Sequence, residues 1–424
     1  MNDNIATPFA KPLYVMLKPA GAHCNLDCKY CYYLEKNNLY NTSQRHLMTD
    51  EMLEQFTREY IEAQTMPQVL FTWHGGEPLM RSIDFYKKAL ELQKKYAHGK
   101  QIDNVIQTNG TLLTDEWCEF FAQNHFLVGI SIDGPQEYHD HYRQTSAGKP
   151  SWEKVMHGIH LLKKHRVEWN AMAVVNAYNA EHPLEFYHFF RDNGCQYLQF
   201  TPIVERLTEH EDGRTLASLA DVSHEDNYED VGNAKKQKEN QEITIADFSV
   251  TPEQWGKFLC TIFDDWVRHD VGKIFVEIFD CTLANWVGVQ PGICAYSKEC
   301  GHAGVMEHNG DVFSCDHFVF PEYKLGNIQD KSLIDMLYGE KQQAFSRLKH
   351  TSLPRQCKEC DMEFACHGEC PKNRFENDKY GEPGLNYLCK GYYEYYTHVA
   401  PYMEFMKREL QAQRPPANIM NVLK

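Results

Sequence analysis

Between residues 13 and 203 short apolar runs alternate with longer amphipathic ones, the pattern of repeated β-α units around a parallel sheet. Predicted strands start at Leu13 (LYVMLKP), Val69 (VLFTWHGG), Asn104 (NVIQTNG), Leu127 (LVGISIDG), Asn170 (NAMAVVN) and Tyr197 (YLQFTPIV). Helices fill the gaps, and those after Thr49 and Thr114 each open on a threonine able to cap free amide groups. Right-handed crossovers between six such strands predict an α/β fold, an open, partial (six-stranded) TIM-type barrel. In that architecture the C-terminal strand ends carry the chemistry, and HGGEP, QTNG and SIDG follow three strands at that place.

The rhythm breaks over residues 205–250, where a polar, charged stretch with few aromatics reads as a long surface insertion, in part disordered. Helical patterning resumes with Thr251 as cap, Pro252 in the first turn and Gln254 completing a capping box. A cysteine-rich region follows. From Gly391 a terminal helix is predicted whose aromatic stripe reads as core packing. The expected division is therefore residues 1–250 for the barrel with its insertion, 251–400 for a linker helix and cysteine-rich domain, and 401–424 for a C-terminal helix and tail.

A chain of 424 residues has room for two or three domains, and 42% apolar with 24% charged residues excludes a disordered chain. The net charge of −16 repels phosphate backbones and anionic lipid head groups, so neither nucleic acid nor a membrane is an expected partner. No apolar run approaches the ~20 residues of a membrane span. The N-terminal stretch lacks the basic and apolar regions of a signal peptide, so a cytoplasmic location is expected.

Fifteen cysteines change the picture most. A reducing compartment disfavours disulfides, and an odd number cannot all pair, which leaves metal or iron–sulfur ligation as the better class. Cys118, Cys195, Cys260 and Cys281 are scattered and read as small core hydrophobes. Cys24, Cys28 and Cys31 form a C-x3-C-x2-C loop after the first strand, and three thiolates this close can hold three irons of a cubane while leaving the fourth open. Zinc is the alternative, but it takes four ligands in structural sites and more separated ones in catalytic sites. Cys294, Cys300, Cys315, Cys357, Cys360, Cys366, Cys370 and Cys389 crowd the last third, enough for two four-ligand cubanes. A pair of zinc ribbons is the alternative there, and the C-x5-C and C-x3-C spacings fit it poorly.

With Tyr30, Tyr32 and Tyr33, the first cysteine loop resembles the signature of the radical S-adenosylmethionine (radical SAM) superfamily, whose open iron chelates S-adenosylmethionine (AdoMet). On that resemblance Gly75-Gly76-Glu77-Pro78 is similar to the GGEP motif, with the Glu77 backbone or carboxylate receiving the methionyl ammonium. Ser131 and Asp133 match positions facing the ribose and methionyl group. Arg143 matches one that pairs with the AdoMet carboxylate, and Tyr30 and Val204 are expected along the adenine. The C-terminal cysteines resemble the SPASM extension of that superfamily. The likeness implies that Cys294, Cys300, Cys315 and Cys370 hold an inner auxiliary cluster and Cys357, Cys360, Cys366 and Cys389 an outer one, for three 4Fe-4S clusters in all.

Cys-Asp-His-Phe at 315–318, together with PQVLFTWHGGEPLM and ECPKNRF, resembles the anaerobic sulfatase-maturating enzymes over nearly the whole chain. The resemblance implies oxidation of a Cys (or Ser) in a sulfatase polypeptide, within a C/S-x-P-x-R-type motif, to Cα-formylglycine. The AdoMet-derived radical would take a Cβ hydrogen and Asp316 would act as general base. A reductant such as flavodoxin or ferredoxin is an implied partner. Tyr33 and His74 lie near these motifs and are candidates for lining the substrate channel or for ordinary packing. Other SPASM peptide modifications, thioether cross-linking or quinone-cofactor maturation, would share every cluster ligand. An iron–sulfur electron carrier or a zinc-stabilised peptide-binding module is the alternative from a different class, and neither needs the β-α units and GGEP.

Overall fold

The computed structural model describes residues 13–36, 47–210, 213–216 and 243–423. Six parallel strands pair in chain order: β1 (Tyr14–Leu17), β2 (Gln68–Trp73), β3 (Gln101–Thr108), β4 (Leu127–Ser131), β5 (Glu168–Val175) and β6 (Tyr197–Pro202). Each lies where the alternation of apolar runs predicts it, and amphipathic helices cover the outside. Thr49 and Thr114 cap their helices by accepting the amides of Met52 and Trp117. Both halves of the capping box at Thr251 and Gln254 are formed. The strands make an open arc, with β1 and β6 paired to other partners at their outer edges.

At the borders of the expected surface insertion, β7 (Arg206–His210) pairs antiparallel with β8 (Gly213–Leu216) and β9 (Ile243–Ile245). Residues 211–212 and 217–242 of that insertion, where partly disordered chain was expected, lie outside the described residues. A two-residue strand, β10 (Phe275–Val276), adds to the free edge of β6 in parallel.

The sheet then continues into the cysteine-rich region. β11 (Ala303–Met306) adds in parallel to the other edge of β1, and β12 (Asp311–Phe313) and β13 (Lys324–Asn327) extend it antiparallel. One ten-stranded sheet thus joins both regions. This pairing positions the site, because β1 and the β11–β12 hairpin deliver their ends side by side: the Lys18 amide bonds the Met306 carbonyl at 3.0 Å.

Behind the sheet, the helix Pro252–His269 packs on a long helix, Cys389–Gln411, that runs unbroken through residues 400 and 401. Tyr392, Tyr395 and Tyr396 are buried in the core, with Trp255 edge-on to Tyr392 at 6.0 Å. The aromatic stripe is packing. The helices approach so closely that a Cβ on Gly391 would lie 2.1 Å from the Pro252 carbonyl oxygen. Among the described residues no helix is long and apolar enough to cross a membrane.

Candidate active site

The first cysteine loop sits on the C-terminal end of β1, in a small apolar nest made by Leu26, Cys28, Tyr30 and Ile203 with Phe248 and Tyr142 beside it. Burial pushes the thiols of Cys24 and Cys28 up to about 12 and that of Cys31 to about 11. All three are free. Three buried thiols that lie within one another's fields and form no disulfide suit iron, which takes them as thiolates and removes the burial penalty. Asn109, from QTNG at the end of β3, points its amide at the Cys24 sulfur (3.6 Å) and bonds Asn25 (2.8 Å). Asn109 thus brings the QTNG strand end, expected at the site, onto the cysteine loop.

The GGEP turn zips onto the residues just before this loop: the Gly76 amide bonds Gly21 O, and the Glu77 amide bonds His23 O, both at 2.9 Å. A Cβ on Gly76 would lie 2.3 Å from the Ala22 and His23 carbonyl oxygens, so only glycine fits. The buried Glu77 carboxylate accepts from the Leu79 amide, the Thr108 hydroxyl and the Asn109 amide at 2.8–2.9 Å. Burial raises it to about 7. Of the two expected roles for Glu77, the carboxylate is therefore committed to tying β2 to β3.

Asp133 and Arg143 are brought together. The guanidinium forks onto the fully buried carboxylate at 2.9 and 3.1 Å, and Tyr30 donates its hydroxyl to the same group. The Val174 amide adds a fourth bond at 2.9 Å. Arg143 is thus paired with Asp133. Ser131 accepts from Gln107 at 2.9 Å at the end of β4. Val204 is buried past β6, and its carbonyl accepts from Lys372 of the cysteine-rich region at 3.1 Å.

Asp316 stands where the two regions meet. Its Oδ2 accepts the hydroxyls of Tyr32 and Tyr33, each at 2.5 Å, and Lys18 Nζ lies 2.5 Å from its Oδ1. Lys36 Nζ caps its backbone carbonyl. Lys18, completely buried, is held from behind by Glu307 at 3.0 Å. Burial acts to raise the Asp316 pKa, but Lys18 first, then Lys36 and His74, hold it well below the usual carboxylate range. The same pocket lowers Lys36 to about 8, burial outweighing its carboxylate neighbour. His74 Nδ1 accepts the Gly75 amide at 2.8 Å, which places the ring proton on Nε2; Tyr33 lies 3.2 Å from the same nitrogen. Tyr33 therefore spends its one proton on Asp316. The result is an ionised carboxylate ringed by phenols and ammonium groups, close to the first cysteine loop through Tyr32 and Tyr33.

Several of the C-terminal thiols lie within one another's electrostatic fields. Cys370 feels Cys315, Cys294 and Cys300, while Cys389 feels Cys357 and Cys360, and Cys366 feels Cys389 and Cys357. Cys357, Cys360, Cys366 and Cys389 line one cavity of about 730 Å³, roomy enough for a cubane. Among the described residues no three His, Cys, Asp or Glu side chains gather tightly enough for a single metal ion.

A family model for the radical SAM superfamily matches residues 19–190, and one for an iron-sulfur cluster-binding domain, SPASM, matches residues 299–361. The serine-type anaerobic sulfatase-maturating enzyme of Bacteroides thetaiotaomicron is 67% identical over 100% of this chain and 98% of its own length. The cysteine-type enzyme of Clostridium perfringens is 30% identical over 92% of this chain and 97% of its own. Among solved structures, native anSMEcpe with bound AdoMet and a peptide superposes with a TM-score of 0.77 at 28% identity, covering 94% of this chain and 100% of that one. At 67% identity over the whole chain to a serine-type enzyme, and with the radical SAM model matched across its barrel, the chain belongs to the anaerobic sulfatase-maturating enzymes of the radical SAM superfamily.

Proposed function

We propose that this enzyme converts a serine or cysteine in a sulfatase polypeptide to Cα-formylglycine, with Asp316 as the base. It is a radical SAM oxidoreductase that uses iron–sulfur clusters and AdoMet. The observation that carries the base assignment is the convergence of Tyr32, Tyr33 and Lys18 on Asp316, at the seam between the barrel and the cysteine-rich region.

We assign Cys24, Cys28 and Cys31 to the AdoMet cluster, with Cys294, Cys300, Cys315 and Cys370 on the inner auxiliary cluster and Cys357, Cys360, Cys366 and Cys389 on the outer, three clusters in all. Gly75 and Gly76 give AdoMet close backbone approach, Tyr30 and Val204 flank its adenine, and Ser131 lies toward its ribose. Asp133 and Arg143 act as one ion pair that sets the wall of this pocket. When bound, the cluster and AdoMet supply a 5′-deoxyadenosyl radical that removes a hydrogen from the substrate Cβ. The remaining steps fall to the chain's own residues.

Both Asp316 oxygens are already engaged, so the substrate hydroxyl or thiol enters by replacing a tyrosine hydroxyl on Oδ2. Lys18 keeps the carboxylate ionised and aimed as the exchange occurs. Asp316 would then take the heteroatom proton while the substrate gives up its second electron, for which auxiliary clusters held by the C-terminal cysteines would be the acceptor; serine gives the aldehyde directly, and cysteine gives a thioaldehyde that water hydrolyses to the aldehyde with release of sulfide. Tyr33 and His74 line the substrate side, next to the carboxylate. The electron donor is proposed to be flavodoxin or ferredoxin. For the domains, we propose residues 1–250 as the barrel, 251–400 as the linker helix and SPASM region, and 401–424 as the C-terminal part.

Serine is proposed as the preferred target, on the 67% identity to a serine-type enzyme. Reduced, reconstituted enzyme with AdoMet and equal amounts of S-x-P-x-R and C-x-P-x-R peptides is expected to oxidise the serine peptide, as read by product mass. Exclusive turnover of the cysteine peptide would contradict the preference, and turnover of neither would contradict the function.

A further inference from the structure

A buried lysine and a half-buried arginine lie in the cysteine-rich region with no part in the chemistry above. Lys349, on the helix Glu340–Thr351, is fully buried, and its ammonium donates to the backbone carbonyls of Cys294, Ala295 (2.7 Å) and Ser297 (2.5 Å). Three acceptors match the three N–H bonds of a charged ammonium. Arg374 donates through Nε to Gly368 O (2.8 Å), through Nη2 to His367 O (2.7 Å) and Glu369 O (3.0 Å), and through Nη1 to Lys349 O (2.5 Å). Both cations bond neutral carbonyls, and the buried Glu369 carboxyl, whose pKa burial raises toward the neutral form, lies in the field of both.

Their placement is specific. The turn held by Arg374 links Cys366 of the outer thiol set to Cys370 of the inner set. His367, Gly368 and Glu369 are all left-handed, with φ of 49°, 66° and 53°. Two non-glycine residues in that region carry a backbone cost that something must offset, and three bonds from one rigid fork do so. A Cβ on Gly368 would lie 2.6 Å from the Arg374 guanidinium, so the turn and the fork fit only each other. Lys349 lies in the field of Cys300, Cys294 and Cys370, and Arg374 in that of Cys366, Cys357 and Cys370. The Arg374 bond to Lys349 O joins the two into one unit between the sets.

We infer that Lys349 and Arg374 are positioning residues that fix two positive charges at the junction of the two auxiliary clusters and raise the reduction potentials of both. The inference rests on the cluster assignment proposed above. A buried positive charge stabilises the more negative, reduced form of a cluster, and net charge near the sulfurs is one of the terms that set its potential. Higher potentials make the auxiliary clusters better acceptors for the electron that substrate oxidation releases.

The test is potentiometry followed by electron paramagnetic resonance on the reconstituted enzyme, with iron assayed first. In Lys349→Gln the reduced-to-oxidised ratio of the inner cluster at a fixed potential is expected to fall at least tenfold, equal to about 59 mV for one electron. Arg374→Gln is expected to lower both auxiliary clusters, and Arg374→Lys, which keeps the charge and loses the fork, to restore most of the shift. Full iron with unchanged potentials in both glutamine variants would overturn the inference while leaving the cluster assignment intact. Wild-type enzyme holding a single cluster would instead overturn the assignment. Should the glutamine variants lose iron, the charge-keeping Lys349→Arg and Arg374→Lys decide: retained clusters at near wild-type potentials support the inference, and loss of clusters there too makes the role structural and overturns it.

Discussion

Replacing Asp316 with asparagine is expected to leave all the iron in place and AdoMet cleavage intact while formylglycine yield falls ~10²–10⁴-fold, the usual cost of losing a positioned base. The separation follows from where the residue sits. Asp316 follows Cys315 in the chain, but its carboxylate is engaged by Tyr32, Tyr33 and Lys18. Asparagine keeps the size and can still accept from one tyrosine. The charge it removes would strand two buried ammonium groups, but Lys18 retains Glu307 at 3.0 Å, which spares the fold the cost of an unpaired buried ion. Lys36, already lowered to about 8, can release its proton near neutral pH. Product mass and 5′-deoxyadenosine from one reaction check this result. Normal formylglycine formation in the asparagine variant would reduce Asp316 to a residue that shapes the turn after Cys315.

Exchanging Cys24, Cys28 and Cys31 together for alanine is expected to abolish AdoMet cleavage, lowering iron from about twelve to about eight per chain with both auxiliary clusters kept. The two thiol regions lie on different supports: the first on the loop after β1, the other on the segments around the β11–β12 hairpin and the helix Cys389–Gln411. Alanine also relieves three buried thiols whose pKa values burial has pushed to about 11 and 12, so the loop loses its ligands without gaining an unpaired charge. Iron analysis and 5′-deoxyadenosine assay read the two effects separately. About two zinc and four irons in the wild-type protein would contradict the auxiliary clusters.

Much of this was legible in the chain because its signals are local. Strand starts, threonine caps and the cysteine spacings each lie within a few residues, and the structure places the six strands and three caps where those patterns put them. The pairing of β1 with β11 was not legible: two four-residue strands nearly 290 positions apart carry no mutual signal, and their register is decided by the packed sheet. The ring around Asp316 was half legible for the same reason. Tyr33, His74 and Asp316 stand in or beside motifs, but Lys18 and Lys36 belong to none, and only the folded chain brings them, buried, to Asp316. Arg143 shows the converse, a charge whose family position was clear and whose immediate partner, Asp133, only the folded geometry reveals.

The most direct measurement follows the hydrogen itself. A S-x-P-x-R peptide deuterated at the serine Cβ, incubated with reduced enzyme and AdoMet, is expected to yield 5′-deoxyadenosine carrying deuterium in step with formylglycine, with no deuterium transferred when the first three cysteines are alanine. Formylglycine formed without deuterium in 5′-deoxyadenosine, or deuterium transfer without any aldehyde in the wild-type enzyme, would contradict oxidation at that carbon by this site.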